Sequence, residues 1–294
     1  MIRLPMWLPI GCLFLFFACT SAIAAEPAVE EQVIKVPVKV RDRYNKAIEQ
    51  DIVVTVFEAR GRGPYPLLVL NHGRPTDTAG RMKMGRVRYS DAARYFAQLG
   101  FSVWVPTRIG YGVSGTAEDP EYTGNCTMRD YKPGFEVAAE QAIQVVAFAS
   151  RREGIDARRI VTVGQSFGGA TSIALAARAP AGLVAAVNFA GGGGGDPVSR
   201  PGEPCLPGQL EDMFRGYGKS ARIPTLWIYT ENDLFFRPAY TRAWFDAFKA
   251  QGGVGDFVLL PAFGGNGHLL FTRGFDIWRP IIENFLKGQG FRDN

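Results

Sequence analysis

Hydrophobic and polar positions along this chain follow two rhythms. Residues 33–40 and 51–57 alternate with a period of two and are rich in valine, and Tyr44 and Asn45 lie in the turn between them. That pattern predicts a β-hairpin. The rhythm then changes. Residues 66–70, 101–105, 160–163, 183–189, 225–229 and 257–260 are short, continuous apolar runs, as expected of strands buried on both faces. Helical patterns separate them at 90–99, 135–151, 167–178, 239–250 and 275–286. Ser90 is a suitable N-cap and Gly100 a suitable stop for the first of these, and Pro180 follows the end of the third. Strands alternating with helices predict right-handed βαβ units. The expected fold class is therefore α/β, with a mostly parallel central sheet and an N-terminal antiparallel hairpin at its edge.

One segment breaks the alternation. Residues 191–222 begin with five consecutive glycines, Gly191 to Gly195. Such a run alone would suit a flexible linker. Its place after a buried strand suits a lid-like insertion, with Cys205, Leu206, Leu210, Met213, Phe214 and Tyr217 offering an apolar side to cover a pocket.

The first 25 residues differ from the rest. Arg3 precedes an apolar run that is broken by Pro5, Pro9 and Gly11 and is short for a membrane span, and Ala22 and Ala24 occupy small positions suited to cleavage. These features predict a cleaved signal peptide over 1–25, an α/β domain over 26–294 and an exported protein, periplasmic or secreted. A membrane anchor is the competing reading, and lipoprotein processing at Cys19 a minor one. No later run resembles a transmembrane segment.

Composition narrows the chemistry. The 294 residues are 47% hydrophobic and 21% charged, a globular balance that argues against disorder. A net charge of +5 without a concentrated basic face argues against a nucleic-acid partner. The densest basic stretch, residues 81–88, reads either as a solvated loop or as a cationic rim favouring acidic substrates. Cys126 and Cys205 remain after the leader, an even pair in loops of an exported chain, so a disulfide between them is expected. There are only two histidines, His72 and His268. A multi-histidine metal site is therefore not expected, and no cofactor is called for.

The strongest local signal is Gly164-Gln165-Ser166-Phe167-Gly168, set between a buried strand and a helix. A serine on such a sharp turn presents its hydroxyl above the sheet, and the crowded turn leaves no room for side chains two residues either side. A serine needs a base to act as nucleophile. Only His268 follows it, in the loop Gly264-Gly265-Asn266-Gly267-His268 after the last strand. With the order nucleophile, acid, histidine, the acid lies between them. Asp233, in Thr230-Glu231-Asn232-Asp233 beyond the strand at 225–229, is the candidate, and Glu231 its nearest competitor. The backbone N–H groups of Phe167 and Arg74 are candidate oxyanion donors, with Gly73 as the fallback for the second. His72 precedes the serine and is assigned to shaping that loop. The Arg74 side chain could meet a substrate carboxylate, although simple exposure accounts for an arginine equally well. Phe235 and Phe236 suit the pocket border or the core.

Taken together, His72-Gly73-Arg74-Pro75, Gly164-Gln165-Ser166-Phe167-Gly168-Gly169, Glu231-Asn232-Asp233 and Gly265-Asn266-Gly267-His268 resemble the α/β-hydrolase superfamily across nearly the whole mature chain. The hairpin followed by Pro66-Leu67-Leu68-Val69-Leu70-Asn71-His72-Gly73, with Arg108-Ile109-Gly110-Tyr111-Gly112-Val113-Ser114-Gly115, looks like its dienelactone hydrolase-like and prolyl oligopeptidase-like branch. The resemblance implies a serine hydrolase cleaving a carboxylic ester, or alternatively an amide or peptide, through a Ser166–His268–Asp233 triad. Two departures stand out. Dienelactone hydrolases carry a cysteine where this chain has Ser166, and the propeller of prolyl oligopeptidases has no counterpart. Ser166 also argues against epoxide hydrolase or dehalogenase chemistry, which uses an aspartate. The partner implied is a small-molecule ester or amide. A non-catalytic binding protein of the same fold is the rival from another class.

Overall fold

The structure is a computed structural model, and it describes residues 1–2, 29–59 and 63–291. Apart from its first two residues, the expected leader, with Cys19, Ala22 and Ala24, lies outside the described residues. Among the described residues, no helix is long and apolar enough to cross a membrane.

The predicted hairpin forms from β1 (Val29–Arg41) and β2 (Ala47–Ala59), paired antiparallel. Its turn places Asn45 at φ +64°, and the Asp42 carboxylate accepts from the amides of Tyr44 and Lys46. Six strands follow: β3 (Tyr65–Asn71), β4 (Ser102–Thr107), β5 (Ile155–Gln165), β6 (Leu183–Phe189), β7 (Thr225–Thr230) and β8 (Gly255–Leu260). One eight-stranded sheet has the order β1-β2-β4-β3-β5-β6-β7-β8. The contacts β1–β2 and β2–β4 are antiparallel, and every pairing from β4 to β8 is parallel. The hairpin is thus the antiparallel edge that the alternating pattern predicts.

Continuous apolar runs become strands with both faces covered. Leu67, Leu68, Val69 and Leu70 of β3 are all 0% exposed. Burying each such side chain stabilises the fold by about 1.5–3 kcal/mol. Odd and even positions feed two cores, because a strand's side chains alternate between faces. Leu67 and Val69 join Trp104, Trp227 and Trp244 on one side, and Leu68 and Leu70 join Phe96, Phe271 and Trp278 on the other. These four tryptophans are core residues.

The helices are α1 (Thr78–Lys83), α2 (Ser90–Gln98), α3 (Tyr131–Ala149), α4 (Phe167–Arg178), α5 (Pro207–Gly218), α6 (Pro238–Ala250), α7 (Leu270–Arg273) and α8 (Phe275–Gly288). Several depart from the sequence pattern. Helix α3 starts at Tyr131, before the expected Phe135, because Pro133 falls in a first turn whose amides have no intrahelical acceptor anyway. Tyr89, not Ser90, caps α2, in a left-handed conformation at φ +43°. Its ring packs edge-on against Phe271, 5.2 Å between centroids, so a tertiary contact overrides the capping preference of serine.

The basic stretch at 81–88 is only partly the expected solvated loop: Lys83 and Arg88 are exposed, but Arg81 is not. It begins inside α1, whose N-cap Asp77 accepts from Gly80 N at 2.7 Å. Arg81 is buried, donating to Gly110 O and pairing with Asp119, while Arg86 and Arg88 both pair with Glu31. The insertion also departs from a simple lid. The apolar residues Leu210, Met213, Phe214 and Tyr217 of α5 sit in the core with Trp227 and Trp244, and none of them lines the cavities beside Ser166.

The sheet's parallel strands deliver loops to one edge. Gly73 and Arg74 follow β3, Arg108 follows β4, Ser166 follows β5, Gly191 follows β6, Asp233 follows β7 and His268 follows β8. Strand β3 has β4 on one side and β5 on the other, so chain progression reverses there. That reversal opens a crevice beyond the strand ends.

Candidate active site

Ser166 is the residue between β5 and α4, and its backbone is strained at φ +57° and ψ −124°. Holding a non-glycine residue in such a region costs about 1–3 kcal/mol and requires surroundings that dictate it. Those surroundings are visible. A Cβ on Gly164 would collide with the Gly168 carbonyl, and one on Gly168 with the Asn71 carbonyl. The two glycines therefore allow the strand, the turn and the β3 loop to touch. Ser166 N donates to Phe189 O, and the serine carbonyl accepts from Gly169 N and Ala170 N, so the turn is held from both sides.

Asp233 and His268 meet directly. Imidazole Nδ1 lies 2.9 Å from Asp233 Oδ2 and 3.1 Å from Oδ1. The carboxylate is held in turn by the amides of Phe235 and Phe236, which donate to Oδ1 at 2.7 and 3.1 Å. Both residues are buried, at 3% and 4% exposure, whereas Glu231 is exposed. Burial and the direct contact settle which carboxylate accompanies the ring. Phe235 stacks on the imidazole at 4.0 Å between centroids and Phe236 meets it edge-on. These two phenylalanines border the site and pack at once.

Ser166 and His268 open into a shared cleft with Gly73, Arg74, Gln165 and Phe235. No hydrogen bond joins the serine hydroxyl to the ring. Such contacts are commonly long before a substrate closes the site. The amide of Phe167 is the first of α4 and has no acceptor within its own helix. Gly73 packs against the turn, since a Cβ there would lie 3.1 Å from Ser166 Cβ. The His72–Arg74 loop therefore lies alongside the serine.

His72 has no access to this cleft. It is 0% exposed, its Nε2 accepts from Arg108 N at 3.1 Å, and its Nδ1 lies 2.7 Å from Gly73 O. Accepting at Nε2 puts the proton on Nδ1, which then donates to Gly73 O. The ring thus bridges the loops after β3 and β4 as a neutral group. Burial, and then the charge of Arg108, push its pKa well below the ordinary 6.5. An unfolded chain therefore binds a proton near pH 6.5 that the folded chain refuses. The ring's contribution to stability is present above that pH and lost as pH falls below it. We expect stability, followed as melting temperature, to fall on acidification from pH 6.5, with this residue contributing a slope of at most about 1.4 kcal/mol per pH unit. His72→Asn should flatten that slope. An unchanged slope in a folded variant would show that other groups set it.

Sequence reasoning misses the support beneath the loop. Arg108 and Glu121 form a fully buried ion pair, with Nε at 2.6 Å from Oε1. Glu121 also accepts from Tyr111 Oη and Gln141 Nε2, and Arg108 donates to His72 O. The Arg74 side chain, expected either to meet a substrate carboxylate or simply to be exposed, makes two bonds to Asp119 at 2.9 and 2.6 Å. Asn266 is a second omission. Its Oδ1 accepts from the amides of both His268 and Leu234, tying the histidine loop to the aspartate loop. Its place two residues before His268 was the available signal.

The glycine run is a wall, not a linker. Gly192, Gly193, Gly194 and Gly195 line a second cavity, which Ser166, Phe167 and Arg74 share. Side chains would not fit there, since a Cβ on Gly194 would collide with Tyr131 Oη. Cys126 and Cys205 are joined by a disulfide, with Cα atoms 5.1 Å apart. It ties the loop before α3 to the insertion beside this cavity. No group of His, Cys, Asp and Glu residues that could hold a metal occurs among the described residues.

A family model described as alpha/beta hydrolase fold matches residues 66–215. No curated protein matches the chain in sequence. Structures of similar fold include an acetyl xylan esterase from Paenibacillus sp. R4, with TM-score 0.56, 15% identity and 89% of each chain covered. An acylaminoacyl peptidase from Pyrococcus horikoshii has TM-score 0.60 and 15% identity over 87% of this chain, and 41% of its own length is covered. A dienelactone hydrolase-like promiscuous phosphotriesterase from metagenomic libraries has TM-score 0.51 and 18% identity, with 79% of this chain and 82% of the other covered. At these identities the likeness is one of fold.

Proposed function

The chain belongs to the α/β-hydrolase fold family, and on that premise we propose that it is an exported serine hydrolase cleaving a carboxylic ester. The observation that carries the reading is the arrangement of Ser166 on a strained strand-to-helix turn, sharing a cleft with a buried His268–Asp233 pair. The disulfide and the leader-like first 25 residues support export, since such bonds persist in oxidising compartments.

In the proposed reaction, Ser166 Oγ attacks the ester carbonyl while His268 Nε2 takes its proton. Asp233 keeps the other ring proton on Nδ1 and stabilises the imidazolium that forms. The carbonyl oxygen gains negative charge, which the amides of Phe167 and Arg74 receive, with the positive end of α4 beneath. As the intermediate collapses, His268 returns its proton to the departing alcohol. Water then repeats the sequence on the acyl-serine, and the carboxylic acid leaves. Each step needs only groups of this chain and water.

The same atoms would cleave an amide, and the structural neighbours include both esterases and peptidases. A panel of short p-nitrophenyl esters beside aminoacyl-naphthylamides separates the two readings. We expect turnover of the esters, with kcat/KM exceeding that for the amides by tenfold or more. Faster turnover of the amides would overturn the ester assignment and leave the serine mechanism standing. Failure of the purified protein to react with any fluorophosphonate would overturn both.

A further inference from the structure

The cavity beside Ser166 is polar and cationic, with Arg74, Arg129 and Arg200 all in its wall. Their circumstances differ. Arg74 is neutralised by its paired bonds to Asp119. Among the described residues, neither Arg129 nor Arg200 has a carboxylate oxygen within salt-bridge distance. Arg129 donates from Nη1 to Thr123 Oγ1 at 2.8 Å, and its Nε is buried with no acceptor. Arg200 reaches only backbone carbonyls, those of Glu203 and Gly194 at 3.1 and 3.4 Å. The carboxylate in the wall, Asp196, is already occupied by the amides of Val198 and Ser199 and by the Ser199 hydroxyl. Burial, and then repulsion from Arg74 and Arg200, lower the pKa of Arg129. A guanidinium offers five donors in a planar fork, and a buried donor without a partner costs free energy. Arg129 thus carries a buried donor without an acceptor, while Arg200 feels only the Asp196 carboxylate, already engaged by Val198 and Ser199, and both face one cavity.

The disulfide gives this pair its geometry. Arg129 lies just after Cys126 and Arg200 just before Cys205, so one covalent link holds both loops at the cavity. Tyr131, on α3, donates from its hydroxyl to the carbonyl of Cys205, closing the same corner.

We propose that Arg129 and Arg200 form a subsite for an anionic group, carboxylate or phosphate, carried by the substrate beside its scissile carbonyl, and that the Cys126–Cys205 disulfide assembles it. The inference rests on Ser166 being the nucleophile. It makes the substrate an acidic ester, with the anion held by the arginines while the carbonyl reaches Ser166 Oγ. The glycine wall keeps that region narrow and free of competing side chains.

The test compares p-nitrophenyl butyrate with the p-nitrophenyl half-ester of glutaric acid, which is similar in reach and ends in a carboxylate. The intact enzyme should favour the half-ester in kcat/KM by tenfold or more. Arg129→Gln and Arg200→Gln should each lower that preference about tenfold, the usual worth of a charge-assisted hydrogen bond. The Cys126→Ser/Cys205→Ser double variant should lower it as well. Glutarate and inorganic phosphate, tested as inhibitors of butyrate hydrolysis, identify the anion: whichever competes better in the intact enzyme and less well in Arg129→Gln is the class bound. Equal rates on the two esters, a preference unchanged by both arginine variants, or inhibition by neither anion would overturn the subsite. A preference that survives loss of the disulfide would overturn the role given to that bond. Fluorophosphonate labelling of Ser166 is scored in parallel. Labelling without any anion preference sinks only the subsite, whereas absent labelling sinks the serine hydrolase reading beneath it.

Discussion

Ser166→Ala should lower hydrolysis of short p-nitrophenyl esters by about 10⁴- to 10⁶-fold and abolish labelling by a fluorophosphonate. The size follows from what the hydroxyl does. It alone forms the acyl bond, so without it water must attack the substrate directly, aided only by binding and by the amides of Phe167 and Arg74. The fold should survive. The strain at φ +57° belongs to the backbone and persists in alanine, and the hydroxyl makes no hydrogen bond that the turn depends on. Melting temperature should therefore stay close to that of the parent, which separates lost chemistry from lost structure. Labelling that persists on Ser166→Ala would place the nucleophile elsewhere and overturn the reading of the whole cleft.

The turn carrying Ser166 was legible because three local signals coincide there. A continuous apolar strand, two glycines at the crowded positions and a helical pattern meet within a few residues, and α4 and β6 fall on their expected bounds. That Asp233 and His268 would come together could be anticipated from chain order and scarcity. What escaped was set by distant partners. Arg74 meets Asp119 45 positions away, and nothing near either residue announces the pair. Buried charges are rare and occur where a partner compensates them, so their burial cannot be read from local pattern. The same holds for Arg81, whose run of basic neighbours suggests solvent while its partners lie on the loop after β4.

The glycine run shows the converse error. Five glycines read locally as slack chain, but here Gly192 to Gly195 are packed against Tyr131, Phe235 and Phe236 and form the narrow side of the cavity beside Ser166. Absence of side chains served close approach, not flexibility. That difference redirects attention from the α5 segment, which is core, to the loops joined by Cys126 and Cys205. Specificity on this reading comes from those loops, while the strand ends supply the chemistry.

His268→Ala should lower kcat about 10⁴-fold or more, and His72 should restore none of it. A serine hydroxyl attacks slowly unless a base removes its proton, and removing one member of such a unit costs nearly as much as removing all. Only one other histidine exists, and it is out of reach. Its two ring nitrogens are committed to Gly73 O and Arg108 N, and its ring packs edge-on against Tyr111, 4.6 Å between centroids. Burial and the neighbouring Arg108 keep it neutral and disfavour the proton a base would have to accept. Added imidazole should recover part of the rate, because removal of the ring leaves a space against Phe235 and beside Asp233. Adding His72→Asn to His268→Ala should cost no further activity. A His268→Ala enzyme within tenfold of the parent, or one inactivated further by the His72 change, would mean that the base is not the histidine paired with Asp233.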